Sequence, residues 1–167
     1  MILTKSELIA SLQHEVRILT HLAGKVEPTM LDYRPTPKQR STMEWLQYLT
    51  LMGPALIDAA KSGTFDAAAW TAGEKAAEAR DLSQTIAALE GLGETYATQL
   101  AGMSDADFRA EIEMFGTKYT RGSFIVNLVL CGHAAYRTQL FNYLKACGRE
   151  ELSTMNLWAG MDAPAGK

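Results

Sequence analysis

Hydrophobic positions along this chain recur mainly at intervals of three and four. At about 100° per residue that spacing gathers them on one face of a helix. Four long segments carry the period. In residues 6–25, Leu8, Leu12, Val16, Leu19, Leu22 and Val26 form a stripe, and Gly24 with Pro28 ends the helix. The second helix opens on Ser41-Thr42-Met43-Glu44, a capping box, and buries Trp45, Leu49, Met52 and Leu56 with Tyr48 beside them. Gly53-Pro54 should kink it, and Ser62-Gly63 stops it. Residues 81–103 place Leu82, Ile86, Leu89, Tyr96, Leu100 and Met103 on a third stripe. Gly91 and Gly93 weaken its middle, which is tolerable where another helix packs close. Residues 123–146 are the most apolar, with Asn127, Thr138, Asn142 and Lys145 confined to one narrow side, so this helix lies deep.

The intervening segments read differently. Residues 32–40, with Pro35 and Pro37, are a loop. Residues 64–80 are alanine-rich, with Phe65 and Trp70 as isolated anchors, and read as a loop with a short helix. In residues 107–115, Phe108, Ala110, Ile112 and Met114 alternate with Arg109, Glu111 and Glu113, the period of a half-buried extended segment. Alanine and glutamate favour helix, so the end of a helix fits equally well. Residues 116–122 read as a turn-rich connection. Leu152, Leu157 and Trp158 should dock part of the tail before it frays over 161–167. The expected architecture is all-α: a single four-helix bundle over residues 1–160, with a short extended segment before the last long helix.

Composition narrows the class. A chain of 167 residues can bury roughly 70% of its unfolded surface, so no metal or disulfide staple is needed. Hydrophobic residues at 47% and charged residues at 21% exclude a disordered protein. A net charge of −3 offers no general attraction to nucleic acid. Two cysteines make no disulfide framework, the N-terminal stretch is interrupted by Lys5, Glu7, Gln13 and His14, and no window is long enough to span a bilayer. The expectation is a cytoplasmic protein without membrane or nucleic-acid partners.

In a helical bundle, chemistry depends on which polar residues point inward. His14 and His21 fall away from the first helix's main stripe and read as surface groups unless a partner subunit covers them. His133 sits within the fourth helix's apolar arc, with Tyr136 and Arg137 three and four residues on, so the three are neighbours. Two readings stay open: a core histidine bonded to a tyrosine, or the wall of a pocket that Tyr48 completes. Arg137 needs a carboxylate, water or an anionic ligand. Spacing alone gives no metal site, because the inner faces supply only His133. Cys131 and Cys147 read as packing residues. No phosphate-binding glycine loop and no Gly-x-Ser-x-Gly elbow is present.

The stretch HLAGKVEPTMLDYRPTPKQRSTMEWLQYLTL, residues 21–51, resembles the opening of the DinB-like (DinB/YfiT-like) metalloenzyme family. The run His133-Ala134-Ala135-Tyr136-Arg137-Thr138-Gln139-Leu140, followed by Tyr143-Leu144 and Gly148, resembles that family's closing motif. The resemblance implies a four-helix bundle, often a homodimer, in which three histidines bind a divalent metal such as Zn or Ni. One comes from the second helix and a His-x-x-x-His pair from the fourth; some relatives are thiol-dependent transferases or isomerases using a low-molecular-weight thiol. Here the second-helix position falls on Tyr48. On the fourth helix, one register gives His133 and Arg137, and the other gives Gly132 and Tyr136. Either way at most one ligand remains, and a guanidinium cannot ligate metal.

The resemblance therefore implies a degenerate metal site with no metal cofactor. The expectation is a homodimeric bundle whose Tyr48, His133, Tyr136 and Arg137 form a pocket for a small anionic ligand. The His14/His21 face is one contact surface between copies. The alternative is a metal-independent thiol transferase or isomerase with His133 as base.

Overall fold

The computed structural model describes residues 3–164. Residues 165–167 of the expected tail lie outside them. Helix α1, Lys5–Ala23, opens on a capping box between Thr4 and Glu7 and buries Leu8, Leu12, Val16, Leu19 and Leu22. A 3₁₀ turn at Pro28–Met30 leads into the proline loop. Amides of Thr42 and Met43 tie that loop to the carbonyls of Tyr33 and Leu31. Helix α2, Thr42–Ser62, begins at the expected box: Ser41 N donates to Glu44 Oε2 (2.8 Å), and Glu44 N donates to Ser41 Oγ (3.3 Å). It runs through Pro54, whose carbonyl accepts from Gln99 Nε2 at 3.1 Å, and stops at Gly63, φ 79°.

Residues 64–80 hold more helix than expected. Helix α3, Ala67–Glu78, is capped by Asp66, and Gln47 Nε2 on α2 donates to the carbonyls of Glu78 (3.2 Å) and Arg80 (2.9 Å). Alanine's helix propensity decides this segment once α2 holds its end. The third long stripe divides into α4, Leu82–Glu90, and α5, Leu92–Ala101. Only Gly91 separates them, in a right-handed conformation, so the stripe stays nearly collinear. The close packing that Gly93 permits is with α1: a Cβ there would lie 3.4 Å from Gln13 Cγ.

Both readings of residues 107–115 hold in part. Helix α6 covers Asp105–Arg109, and strand β1 follows over Glu111–Met114 with Ile112 and Met114 buried. The connection after it is not irregular. Strand β2, Thr117–Thr120, pairs antiparallel with β1, Glu111 opposite Thr120 and Met114 opposite Thr117. Phe115 (φ 53°) and Gly116 (φ 73°) form the two-residue turn, both in the left-handed region that a type I′ hairpin demands. The last long helix starts two residues earlier than expected. It comprises α7, Arg121–Phe124, a π-helical stretch at Ile125–Leu130, and α8, Cys131–Ala146.

The long elements α1, α2, α4–α5 and α7–α8 enclose one core, where Leu12, Ile18, Leu46, Tyr96 and Phe124 lose all solvent contact. The fold is all-α apart from the hairpin. Helix α9, Thr154–Ala159, straps back over α1 and α8. Among the described residues, no helix is long and apolar enough to cross a membrane.

Two glycines isolate the backbone term. No described atom lies within 4 Å of a Cβ added at Gly116 or Gly102. Gly116 is left-handed, whereas Gly102, which caps α5, has φ −80°. Gly116→Ala should cost about 1 kcal/mol, and Gly102→Ala should stabilise by about 0.5 kcal/mol. Urea unfolding measures both, and the opposite order contradicts the turn geometry.

Candidate functional site

One turn of α8 carries His133, Tyr136 and Arg137. Residues 133, 136 and 137 point from it toward three different neighbours. His133 faces α5, Tyr136 faces α2, and Arg137 faces α1. The structure therefore does not gather Tyr48, His133, Tyr136 and Arg137 into one pocket; it divides them among three pairs.

The first pair is an ion pair. Arg137 Nη1 lies 3.1 Å from Glu15 Oε1, and both side chains are about nine-tenths buried. Burial pushes the Glu15 carboxyl up despite the opposing pull of Arg137 and His14. The contact is one-pronged, since among the described residues Glu15 Oε2 and Arg137 Nε are buried without a partner. Trp158 of α9 covers the guanidinium, with Arg137 Cζ 4.6 Å from its ring centre. The anionic ligand was inferred from an Arg137 in need of a counter-charge, and Glu15 supplies that charge from inside the chain. Glu15 was missed because it is charged. Yet Leu8, Leu12, Glu15, Leu19 and Leu22 step by four and three, so its spacing put it on the buried stripe.

The second pair is Tyr96 Oη with His133 Nε2, 2.6 Å apart and wholly buried. Burial pushes the Tyr96 phenol up and His133 down to about 4, so both are neutral at physiological pH. The phenol donates to Nε2, because a phenol is the stronger proton donor and a neutral imidazole nitrogen the stronger acceptor. Nδ1 then carries the imidazole proton, and it has no partner among the described residues. This is the core-histidine reading, with Tyr96 in the place expected of Tyr136. Gly53 makes room for it: a Cβ there would fall 1.9 Å from Tyr96 Oη.

The third pair opens to solvent. Tyr136 Oη donates to Tyr48 Oη at 3.3 Å, and the two rings meet edge to face. Burial, then the bond to Tyr136, push the Tyr48 phenol well above its usual range. Tyr48 alone of the four predicted residues lines the adjoining cavity of about 300 Å³, between α2 and α3. Arg40 stacks on the Tyr48 ring, 4.1 Å from its centre, and the cavity is also lined by Glu74, Glu78 and Glu44, the last paired with Arg34 at 3.1 Å.

The remaining predicted groups are peripheral. His14 is exposed beside Arg17. His21 is half-buried beneath the C-terminal segment, with Nε2 3.1 Å from Asn156 Nδ2 and 3.7 Å from Asp162. The chain's own α9 thus fills part of the face expected to meet a second copy. Cys131 is exposed and Cys147 partly buried, both free.

No protein family and no curated protein matches the chain by sequence. Among solved structures it is similar to the crystal structure of YjoA, a DinB-like protein from Bacillus subtilis. The TM-score is 0.68 at 16% identity, over 87% of this chain and 94% of that one. The chain has the DinB-like fold. The residues of the two registers on the fourth helix are placed differently. Tyr48 and Tyr136 converge, and a Cβ on Gly132 would lie 4.0 Å from the Tyr136 ring and 3.4 Å from Met52 Cε. His133 and Arg137 diverge toward α5 and α1. Tyr48, Gly132 and Tyr136 thus lie together, and two phenols with a glycine do not fit a divalent cation.

Two predictions follow the buried pairs. Glu15→Leu should cost about 3–5 kcal/mol by leaving Arg137 buried and unpaired, whereas Glu15→Leu with Arg137→Met should return to within about 1 kcal/mol of wild type. Denaturant unfolding of the three proteins decides; a double variant as unstable as the single one contradicts the pairing. For His133, the unfolded chain takes up a proton near pH 6.5 and the folded chain resists it until about 4. Stability therefore falls as pH drops through that window, by about 3 kcal/mol in full, and half-buried His21 adds a smaller loss of the same sign. His133→Asn should flatten most of that slope in unfolding measured at pH 7 and pH 4.

Proposed function

We propose that this protein is a metal-free DinB-like bundle that binds a small molecule at the Tyr48 cleft rather than transforming one. The observation that carries this reading is the Tyr48–Tyr136 hydroxyl pair, which stands where the family resemblance places metal ligands. A phenol ligates strongly only as phenolate, and the raised Tyr48 pKa makes that ionisation costly. The rim charge favours a ligand with a positively charged group: Glu74 and Glu78 face the cleft, and the Tyr48 ring already holds one guanidinium. The ligand is thus opposite in sign to the one expected from Arg137 alone.

The thiol-transferase alternative assigns His133 as base. That imidazole has no exposed surface and its Nε2 is engaged by Tyr96, so no observation favours proton transfer to a substrate there.

Elemental analysis of dialysed protein tests the metal-free reading. Less than a tenth of an equivalent of Zn, Ni, Mn or Fe is expected (~0.1 per chain, the level of adventitious binding where no ligand set converges). About one metal per chain would overturn it. The same reading takes Tyr48, Gly132 and Tyr136 as the positions of the three histidines, and that register has its own test. Tyr48→His, Gly132→His and Tyr136→His together should create Zn or Ni affinity, whereas Tyr48→His with Arg137→His should not. Equal affinity in the two variants would contradict the assignment of Gly132 and Tyr136.

A further inference from the structure

A larger cavity, of about 570 Å³, lies where the start of α1 meets α6, α7 and the π-helical stretch. Its volume is in the range of small-molecule sites. Leu8, Phe108 and Val126 give it a mainly apolar wall, and Lys5 and Arg109 set two cations against one carboxylate, Asp105. The two cations are not equivalent. Lys5 Nζ donates to the carbonyls of Ala101 (2.8 Å) and Met103 (3.1 Å), closing the end of α5. Arg109 is exposed, and among the described residues its side chain makes no ion pair or hydrogen bond. The rim therefore offers one uncommitted guanidinium above an apolar interior.

The backbone around the cavity is specialised as well. Residues Ile125–Leu130 are π-helical, with Cys131 N donating to Val126 O across five residues. Such stretches are rare and frequently accompany functional sites. This one contributes Val126 and Asn127 to the cavity. On the opposite side Gly122 lets α7 approach α6: a Cβ there would fall 3.1 Å from the Phe108 carbonyl oxygen. The walls are thus held by backbone geometry rather than by filling side chains.

We propose that this cavity is a second binding site, for a monomeric amphiphile with a short alkyl tail and a single carboxylate head. The tail lies along Leu8, Phe108 and Val126, and the carboxylate accepts from Arg109 (a charge-assisted and geometrically specific pairing). A cationic head would meet Arg109 with like charge, and a neutral head would leave it unused.

Isothermal titration of the full chain with decanoate, decanol and decyltrimethylammonium, below the concentrations at which they aggregate, tests this. Amide NMR shifts locate the binding. Decanoate should bind saturably with shifts centred on Leu8, Phe108 and Val126, and more tightly than either analogue. Arg109→Ala should weaken it about fivefold, the scale of a solvent-accessible ion pair, and Arg109→Glu should weaken it further. Because Arg109 is exposed, both variants should fold as wild type does. Val126→Trp should block decanoate and decanol alike. The proposal is overturned by no saturable binding, by equal affinity for the cationic analogue, or by affinity indifferent to Arg109. Shifts at the Tyr48 cleft instead, or binding only to micelles or anionic vesicles, would also overturn it.

Discussion

Burying a carboxylate against a guanidinium fixes the rotation of α8, and the rest of the interior follows from that rotation. Glu15 and Arg137 lie 3.1 Å apart, between α1 and α8, in a region that excludes water. Their attraction is set against the cost of removing two charges from solvent, and among the described residues the one-pronged geometry leaves an oxygen and a nitrogen without a partner. The raised Glu15 pKa shows desolvation outweighing attraction at the carboxylate. Such a pair contributes little net stability, but turning α8 away from α1 would strand a buried cation. With Arg137 held on α1, His133 meets Tyr96 on α5 and Tyr136 meets Tyr48 on α2. Helix α9 completes the arrangement by laying Trp158 over the guanidinium.

This division is the physical basis on which a binding role is proposed for the DinB-like fold here. Metal chemistry needs three donors converging on one point. In this chain the fourth helix sends its imidazole, phenol and guanidinium in three directions, each to an internal partner. What remains open to solvent is a phenol face already stacked by Arg40 and rimmed with carboxylates. That surface suits recognition by charge and shape.

Much of the fold was legible because its signals are local. The Ser41 capping box and the α1 and α2 stripes stand where periodicity puts them, whereas the fourth helix buries one face only and exposes Asn127, Cys131, Ala135, Thr138, Asn142 and Lys145. Strand β2 was not legible, since Thr117-Lys118-Tyr119-Thr120 has no apolar alternation and its turn uses Phe115, a residue rarely left-handed, in place of asparagine. The π-helical stretch changes hydrogen bonding without changing the apolar pattern, so sequence is silent on it. The site was half legible. Periodicity put His133 on an inward face with the core and pocket readings both open, and Arg137 needed a carboxylate, water or an anionic ligand. The partners Tyr96 and Glu15 lie 37 and 122 residues away in sequence, and only tertiary packing assigns them.

The central claim is that the polar groups of α8 are spent on internal partners. The ¹⁵N spectrum of the His133 imidazole tests it most directly. At neutral pH it should show one fixed tautomer, protonated at Nδ1 with Nε2 accepting from Tyr96, and it should not change when excess Zn²⁺ or Ni²⁺ is added. An imidazolium, a mixture of exchanging tautomers, or a shift on metal addition would contradict the account.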